Sequence, residues 1–415
     1  MVGAAAFTGC TSTTRLPVTP NVLRDGSGSA QLRELPPAQQ KPEMEIVYVT
    51  DRTRDAEAQQ GVVYGDGRAS DIAYGVATVS MGKSTRWEEV VQYSGRPGNF
   101  EKYRLDVTQV QERGRLSAVL DRLQPMDGRL VMTDLAGERA EQQQAQAMLA
   151  EALAKTSHKD VYIFVHGCSN WFDESVLRLA GVWHYLGRRG VPVAYAWASG
   201  YGGMFGYFHD RESADFTVSH FKQTLRLIAG CPGVQRVHIL AHSRGAEVAC
   251  AALRELNGEY RAAGKDPQVE LKLATLVLAA PDIDCGVFAQ RFGSENLASV
   301  ARQVVIYSAK EDSTLGMSRW VYSSGGRVGT FDPTDAWPQL RAKLDQLPSL
   351  QFVQSDVSGF ASSHAYMFAD PAAMSDLVLV LRDGKLAGAQ HGRPLRHDKG
   401  WWYLDESYFG KVGAR

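Results

Sequence analysis

The chain has 415 residues, 44% of them hydrophobic and 22% charged. That suits one large α/β domain with additions, or two domains, and excludes a disordered, collagen-like or coiled-coil protein. Forty-five basic residues stand against forty-six acidic ones, so no basic field exists to hold a phosphate backbone and nucleic acid is not an expected partner.

In chain order, residues 1–10 end in Ala6-Phe7-Thr8-Gly9-Cys10, which read as the remnant of a lipoprotein signal with Cys10 as the lipidation site. No Lys or Arg precedes the short apolar run, so a start upstream of Met1 is needed for that reading, and a ragged cytosolic N-terminus is the alternative. Residues 11–43 carry Pro17, Pro20, Pro36, Pro37 and Pro42 with Gly26 and Gly28, and are expected to form a flexible linker. Membrane association is expected only through such an anchor, since no apolar run approaches the roughly 20 residues that span a bilayer. The expected location is the bacterial cell envelope, with the cytoplasm as alternative.

The folded domain is expected over 44–385. Glu45 to Thr50, Ile72 to Ser80 and Lys102 to Val107 read as opening strands, and Ala145 to Leu153 as an amphipathic helix. A regular alternation follows. Strands are expected at Val161–Val165, Val191–Trp197, Val237–Leu240, Leu273–Leu278, Val304–Tyr307 and Leu350–Val357. Helices are expected at Asp210–Ala229 and from Arg244 to a stop at Gly258. Continuous apolar strands between helices imply a mostly parallel sheet covered on both faces. Residues 386–415 are expected to be a C-terminal extension outside the domain.

Ligands of such sheets sit at the carboxyl ends of strands. After Val237 to Leu240 comes Ala241-His242-Ser243-Arg244-Gly245 and then a helix. Strand, sharp turn, serine, helix is the context of a nucleophile elbow, where small flanking residues let the turn close. A serine that merely caps the helix is the competing reading. A serine nucleophile needs a base, and the base an orienting acid, in the chain order serine, acid, histidine. Downstream lie His364, His391 and His397, of which His364 follows a strand. Asp312 follows the strand before it; Glu311, Asp282 and Asp284 are alternative acids. The oxyanion hole is expected from the backbone N–H of Arg244 and, in His166-Gly167-Cys168, of Cys168.

These residues resemble bacterial α/β-hydrolases of the esterase/lipase superfamily, a group described mostly as a domain of uncharacterised function. The resemblance runs through Val47-Tyr48-Val49-Thr50-Asp51-Arg52, Tyr74-Gly75, Val165-His166-Gly167, Ala196-Trp197-Ala198-Ser199 and Asp210-Arg211-Glu212-Ser213-Ala214. It continues in Ala241 to Gly245, Ala279-Ala280-Pro281-Asp282-Ile283-Asp284, Asp312 and Ser363-His364, covering about residues 45–380. It implies an α/β-hydrolase fold with antiparallel strands at the N-terminal edge, and a Ser243, Asp312, His364 triad. Cys168-Ser169, Ala198 and Ala241 depart from the group's usual residues.

Gly200 to Phe208 is expected to be an apolar loop over the site, with Tyr201, Trp171 and Trp197 lining a substrate pocket. The five cysteines (10, 168, 231, 250, 285) form no disulfide framework, and no Cys-x-x-Cys, Gly-x-Gly-x-x-Gly, P-loop or His-Glu-x-x-His occurs. No metal or cofactor is therefore expected. The expected activity is hydrolysis of a small-molecule acyl ester through an acyl-enzyme on Ser243. The alternative is a catalytically inactive, envelope-tethered binding protein on a hydrolase scaffold.

Overall fold

The β-branched and aromatic runs of the sequence assemble into one 11-stranded sheet. In the computed structural model the structure describes residues 15–55, 62–82, 84–96, 103–200, 203–310, 312, 314–315, 326–331, 343–356 and 364–409, the side chains of 203–205 excepted. The strands are β1 (Met44–Arg54), β2 (Tyr64–Ser80) and β3 (Asp106–Leu116), then a separate hairpin β4 (Leu123–Met126) and β5 (Arg129–Met132). They continue as β6 (Asp160–Val165), β7 (Val191–Tyr195), β8 (Arg236–His242), β9 (Leu273–Ala279), β10 (Gln303–Ser308), β11 (Leu350–Ser355), β12 (Arg396–Asp398) and β13 (Trp401–Leu404). Their order in the sheet is β12-β13-β11-β10-β9-β8-β6-β7-β1-β2-β3. The pairs from β1 to β13 through the middle are parallel. β2 and β3 are antiparallel at one edge, and β12 at the other.

Side chains alternate across the pleat and so build two cores. On one face Tyr162 and Phe164 of β6 pack with α4 (Phe172–Tyr185) and the C-terminal helix Pro371–Leu381. On the other, Val161, Ile163 and Val165 pack with α3 (Leu135–Ala154), α5 (Gly203–Gly230) and α6 (Arg244–Ala262). Among the described residues no helix is long and apolar enough to cross a membrane.

Four expectations are corrected. Residues 15–43 are no linker. Leu16, Leu23 and Leu32 are buried anchors, each stabilising by about 1.5–3 kcal/mol. Leu23 closes the short helix Asn21–Leu23 and Leu32 lies in α1 (Ser27–Arg33), which packs near α2 (Trp87–Tyr93). The prolines set turns: Pro17 packs on Gly181, where a Cβ would stand 2.7 Å from its Cδ. Fully buried Arg188 donates from Nη1 to the carbonyls of Gln39, Lys41 and Glu43.

Residues 386–409 are part of the domain rather than an extension. β13 pairs with β11. Arg393, 0% exposed, donates to both oxygens of Asp376 at 2.7 and 2.6 Å, and to Gln351. Tyr307 and Tyr408 donate to the same carboxylate. Complete pairing lets a stretch rich in Arg, Gly and Asp become core.

The third strand begins at Asp106, with residues 101–102 outside the described set. Its outward Gln109, Gln111 and Arg113 hide the apolar alternation, as an edge strand's charges do. α6 continues past Gly258 to Ala262, because Leu256 and Tyr260 keep the apolar face going, and one helical glycine costs only about 1 kcal/mol.

Candidate active site

Everything the site needs stands at the carboxyl ends of β6, β7, β8, β10 and β11. Ser243 follows β8 at φ 54 and ψ −123, a conformation L-residues rarely hold. Its backbone is fixed there: Ser243 N–H donates to Ala279 O at 2.9 Å, and Ser243 O accepts from Ala246 and Asp282. Gly245 has no room for a side chain, since a Cβ would run into the carbonyl oxygens of Val165 and His166. The serine makes no capping hydrogen bond to α6, so the reading of Ser243 as a helix cap finds no support.

Asp312 follows β10 and His364 follows β11. His364 Nδ1 meets Asp312 Oδ2 at 2.6 Å. The other carboxylate oxygen accepts from the amides of Thr314 and Leu315, both at 3.1 Å. Both side chains are buried. The pairing of Nδ1 leaves Nε2 as the ring's other nitrogen; it is buried and has no hydrogen-bond partner among the described residues. His391 and His397 lie at the surface. Glu311 and Ser363 fall outside the described residues.

Asp282 does not compete for the histidine. Its Oδ2 accepts from Arg244 Nη2 at 2.5 Å and from the Tyr207 hydroxyl at 2.6 Å, and Arg327 lies 3.3 Å from Oδ1. Asp284 caps the short helix Cys285–Ala289 through the amides of Gly286 and Val287.

The loop after β6 passes close to the serine: a Cβ on Gly167 would stand 2.7 Å from Ser243 Cβ. Cys168 follows, with a free thiol that burial pushes far above its ordinary pKa. Such a thiol is a poor nucleophile. Arg244 opens α6, where first-turn amides lack intrahelical acceptors.

Two residues of the resemblance motifs, given no role from sequence, hold this loop. Arg52 is fully buried and donates to the carbonyls of Gly65, Asn170, Ala196 and Ser199. It thus joins the loops after β6 and β7; desolvation lowers its pKa to about 10. Asp210 Oδ2 accepts from Ser169 N at 2.7 Å. The available signal was the charged pair Asp51-Arg52 just after the apolar run Ile46 to Val49 of a strand. A third such residue is His242, whose Nε2 lies 3.0 Å from His364 O.

Of the expected pocket residues, Trp171 is 48% exposed at the start of α4, against Gly200. Trp197 is not in a pocket. It is 0% exposed, stacks on His166 at 5.1 Å and donates to His166 O at 2.8 Å. Its indole supports the loop from below. Tyr201 and Cys10 lie outside the described residues. The apolar loop expected over 200–208 is helical from Gly203. Among the described residues no group of three or more His, Cys, Asp and Glu could hold a metal ion.

A family model described as an alpha/beta hydrolase of unknown function, DUF900, matches residues 141–381, more than half of the chain. No curated protein matches it.

Proposed function

The chain belongs to the DUF900 family of α/β-hydrolases of unknown function, and from that premise we propose that it is a serine hydrolase acting on a small-molecule carboxylic ester. One observation carries this reading: His364 is bonded through Nδ1 to buried Asp312, on loops of the sheet end where Ser243 sits at a strained elbow.

In this mechanism Ser243 Oγ attacks the ester carbonyl carbon and His364 Nε2 takes its proton. Asp312 holds the ring's tautomer and stabilises the imidazolium. The amides of Cys168 and Arg244 donate to the oxyanion, each worth about 3–4 kcal/mol in the transition state. The alkoxide leaves with the proton from His364. Water then attacks the acyl-enzyme by the same steps in reverse order, giving the acid and free serine. Half-exposed Trp171 offers an apolar contact for the acyl group.

Fluorophosphonate labelling of wild type and Ser243→Ala, mapped by peptide mass, tests the reading. Labelling at Ser243 with turnover of aryl esters is expected, and both are lost in the variant. A folded wild-type protein that takes no label overturns it in favour of an inactive binding protein.

Location is a separate part of the reading. A lipidated Cys10 would tether the domain to the envelope, and mass spectrometry of protein expressed from an upstream start tests it. An unmodified Cys10 in the cytosolic fraction refutes it.

A further inference from the structure

The pole opposite Ser243 carries a second polar feature. Tyr162, His238, Thr275 and Gln303 are direct cross-strand neighbours on β6, β8, β9 and β10. They therefore form one row on one face of the sheet. Their places in otherwise apolar parallel strands are unusual, because such strands are buried on both sides. Ser243, just past the end of β8, stands five positions after His238, about 16 Å on at strand rise.

The row is incompletely satisfied. Gln303 Nε2 donates to Thr275 Oγ1 at 3.2 Å and Val380 O at 3.4 Å, but its Oε1 has no partner among the described residues. His238 stacks on Tyr162 and sets Nε2 3.5 Å from Asp160, while its Nδ1 has no partner among the described residues. Both side chains are more than nine-tenths buried. Burial keeps the imidazole neutral by lowering its pKa. With the proton on Nε2, facing Asp160, Nδ1 is an acceptor. Two buried acceptors thus face the same shortage: they need donors.

His238, Thr275 and Gln303 line a cavity of about 290 Å³, together with Arg236, Arg302, Arg382 and the turn Asp383-Gly384. Arg382 is engaged by Asp383 and Gln31. Arg236 uses Nε and Nη2 on Asp160, and its Nη1 makes no hydrogen bond among the described residues. The Arg302 side chain makes no ion pair among the described residues. It immediately precedes β10, while Arg236 starts β8; β9 lies between the two strands, which are about 9.6 Å apart. Both arginines line the cavity, and guanidinium groups hold an oxyanion by charge-assisted hydrogen bonds.

We propose that this cavity is a ligand site, distinct from the catalytic one, for a small hydroxylated compound with a phosphate head. Arg302 and Arg236 hold the phosphate at the rim. Hydroxyl groups of the skeleton donate to His238 Nδ1 and Gln303 Oε1 on the floor. Neither a bare anion nor a neutral polyol satisfies both halves.

Calorimetric titration of the full chain with glycerol 3-phosphate, inorganic phosphate and glycerol tests this. Glycerol 3-phosphate is expected to bind one to one, about tenfold tighter than inorganic phosphate, a gain of one or two buried hydrogen bonds. Glycerol alone is expected to give no saturable heat. Arg302→Ala changes an exposed side chain and should weaken glycerol 3-phosphate by about tenfold or more. Gln303→Leu, checked for folding by thermal melting, should bring glycerol 3-phosphate down to the affinity of phosphate. Absence of saturable binding to wild type, or binding unchanged in Arg302→Ala, overturns the site. Equal affinities for phosphate and glycerol 3-phosphate reduce it to an anion contact and overturn the ligand class. Fluorophosphonate labelling of Ser243 in Arg302→Ala should equal wild type, because the two poles share no residue.

Discussion

Gly167 and Ser243 are so close that a β-carbon on the glycine would stand 2.7 Å from Ser243 Cβ and 3.2 Å from its Oγ. Real Cβ contacts do not occur at such a distance, so either the elbow or the loop after β6 must shift. The elbow is anchored by three backbone hydrogen bonds, and the loop carries an oxyanion donor. Gly167→Ala should therefore cut ester turnover by about 100-fold or more, the cost of a misplaced donor. Overpacking this buried position should also cost about 1–3 kcal/mol of stability, so the melting temperature should fall while the protein stays folded at room temperature. Turnover within a few-fold of wild type would remove the close approach from the argument.

Asp312→Asn keeps the side chain's shape and its acceptor for the Thr314 and Leu315 amides. It removes the charge from the 2.6 Å contact with His364. The loss in kcat should be about 10³ to 10⁴, as expected when the imidazole is left in the wrong tautomer. KM should stay near wild type. A drop smaller than tenfold would mean that another carboxylate orients His364, and Glu311 would be the first to replace.

His242 and His364 pack at 4.8 Å between ring centroids. Burial lowers the His242 pKa well below its usual value, so its ring is neutral at neutral pH. In that state Nε2–H donates to the His364 carbonyl and positions the backbone of the base. His242→Leu should lower kcat by about tenfold, the worth of one positioning hydrogen bond, with KM unchanged. His242→Gln places an amide N–H where Nε2 stood and should recover most of the loss. Equal activity in the Leu and Gln variants would assign His242 to packing alone.

The parallel core was legible because its strands are short apolar runs between periodic helices, as at Val161–Val165 and Leu273–Leu278. Ser243, Asp312 and His364 were legible because each follows such a strand. What the sequence concealed is polar residues made buried by pairing. Arg393, Arg188 and Arg52 look like solvated charges in a one-dimensional reading, yet each is fully buried among acceptors remote in sequence. Proline content likewise masked the four buried leucines of residues 15–43, Leu16, Leu23, Leu32 and Leu35. Trp197 was misread for the opposite reason. Its place after a strand suggested the pocket, while its indole N–H had a backbone acceptor in the core.

Arg393 joins β11, β10 and the helix Pro371–Leu381 through Gln351, Tyr307 and Asp376. Arg393→Met leaves the Asp376 carboxylate buried without its cation, although both tyrosine hydroxyls still donate to it. Loss of one partner of a buried pair costs about 3–5 kcal/mol. Urea denaturation should show a matching fall in midpoint with unchanged slope. The double variant Arg393→Met with Asp376→Leu should regain part of the loss, since no charge is then left unpaired. A single variant as stable as wild type would mean that the C-terminal residues dock independently of this network.

Stability should fall as the solution is acidified from pH 7 to pH 5, and histidines are the cause. Burial lowers the pKa of His166 to about 3 and holds His184 and His242 well below the usual value. The unfolded chain titrates them near 6.5. Below that pH the unfolded state binds more protons than the native one, so unfolding is favoured as pH falls. The stabilisation is fully present above about pH 6.5. It is lost progressively from there down to the folded pKa values, at about 1.4 kcal/mol per histidine per pH unit. Burial raises the pKa of Asp173, Asp210 and Asp370, which take up protons in the native state and oppose this trend in part. Differential scanning calorimetry at pH 5.5, in two buffers of different ionisation enthalpy, should report net proton uptake on unfolding, to which these residues supply about three protons and buried His238 adds. A melting temperature flat between pH 7 and 5, with no proton uptake, would mean that these rings are already charged in the native state, against their burial.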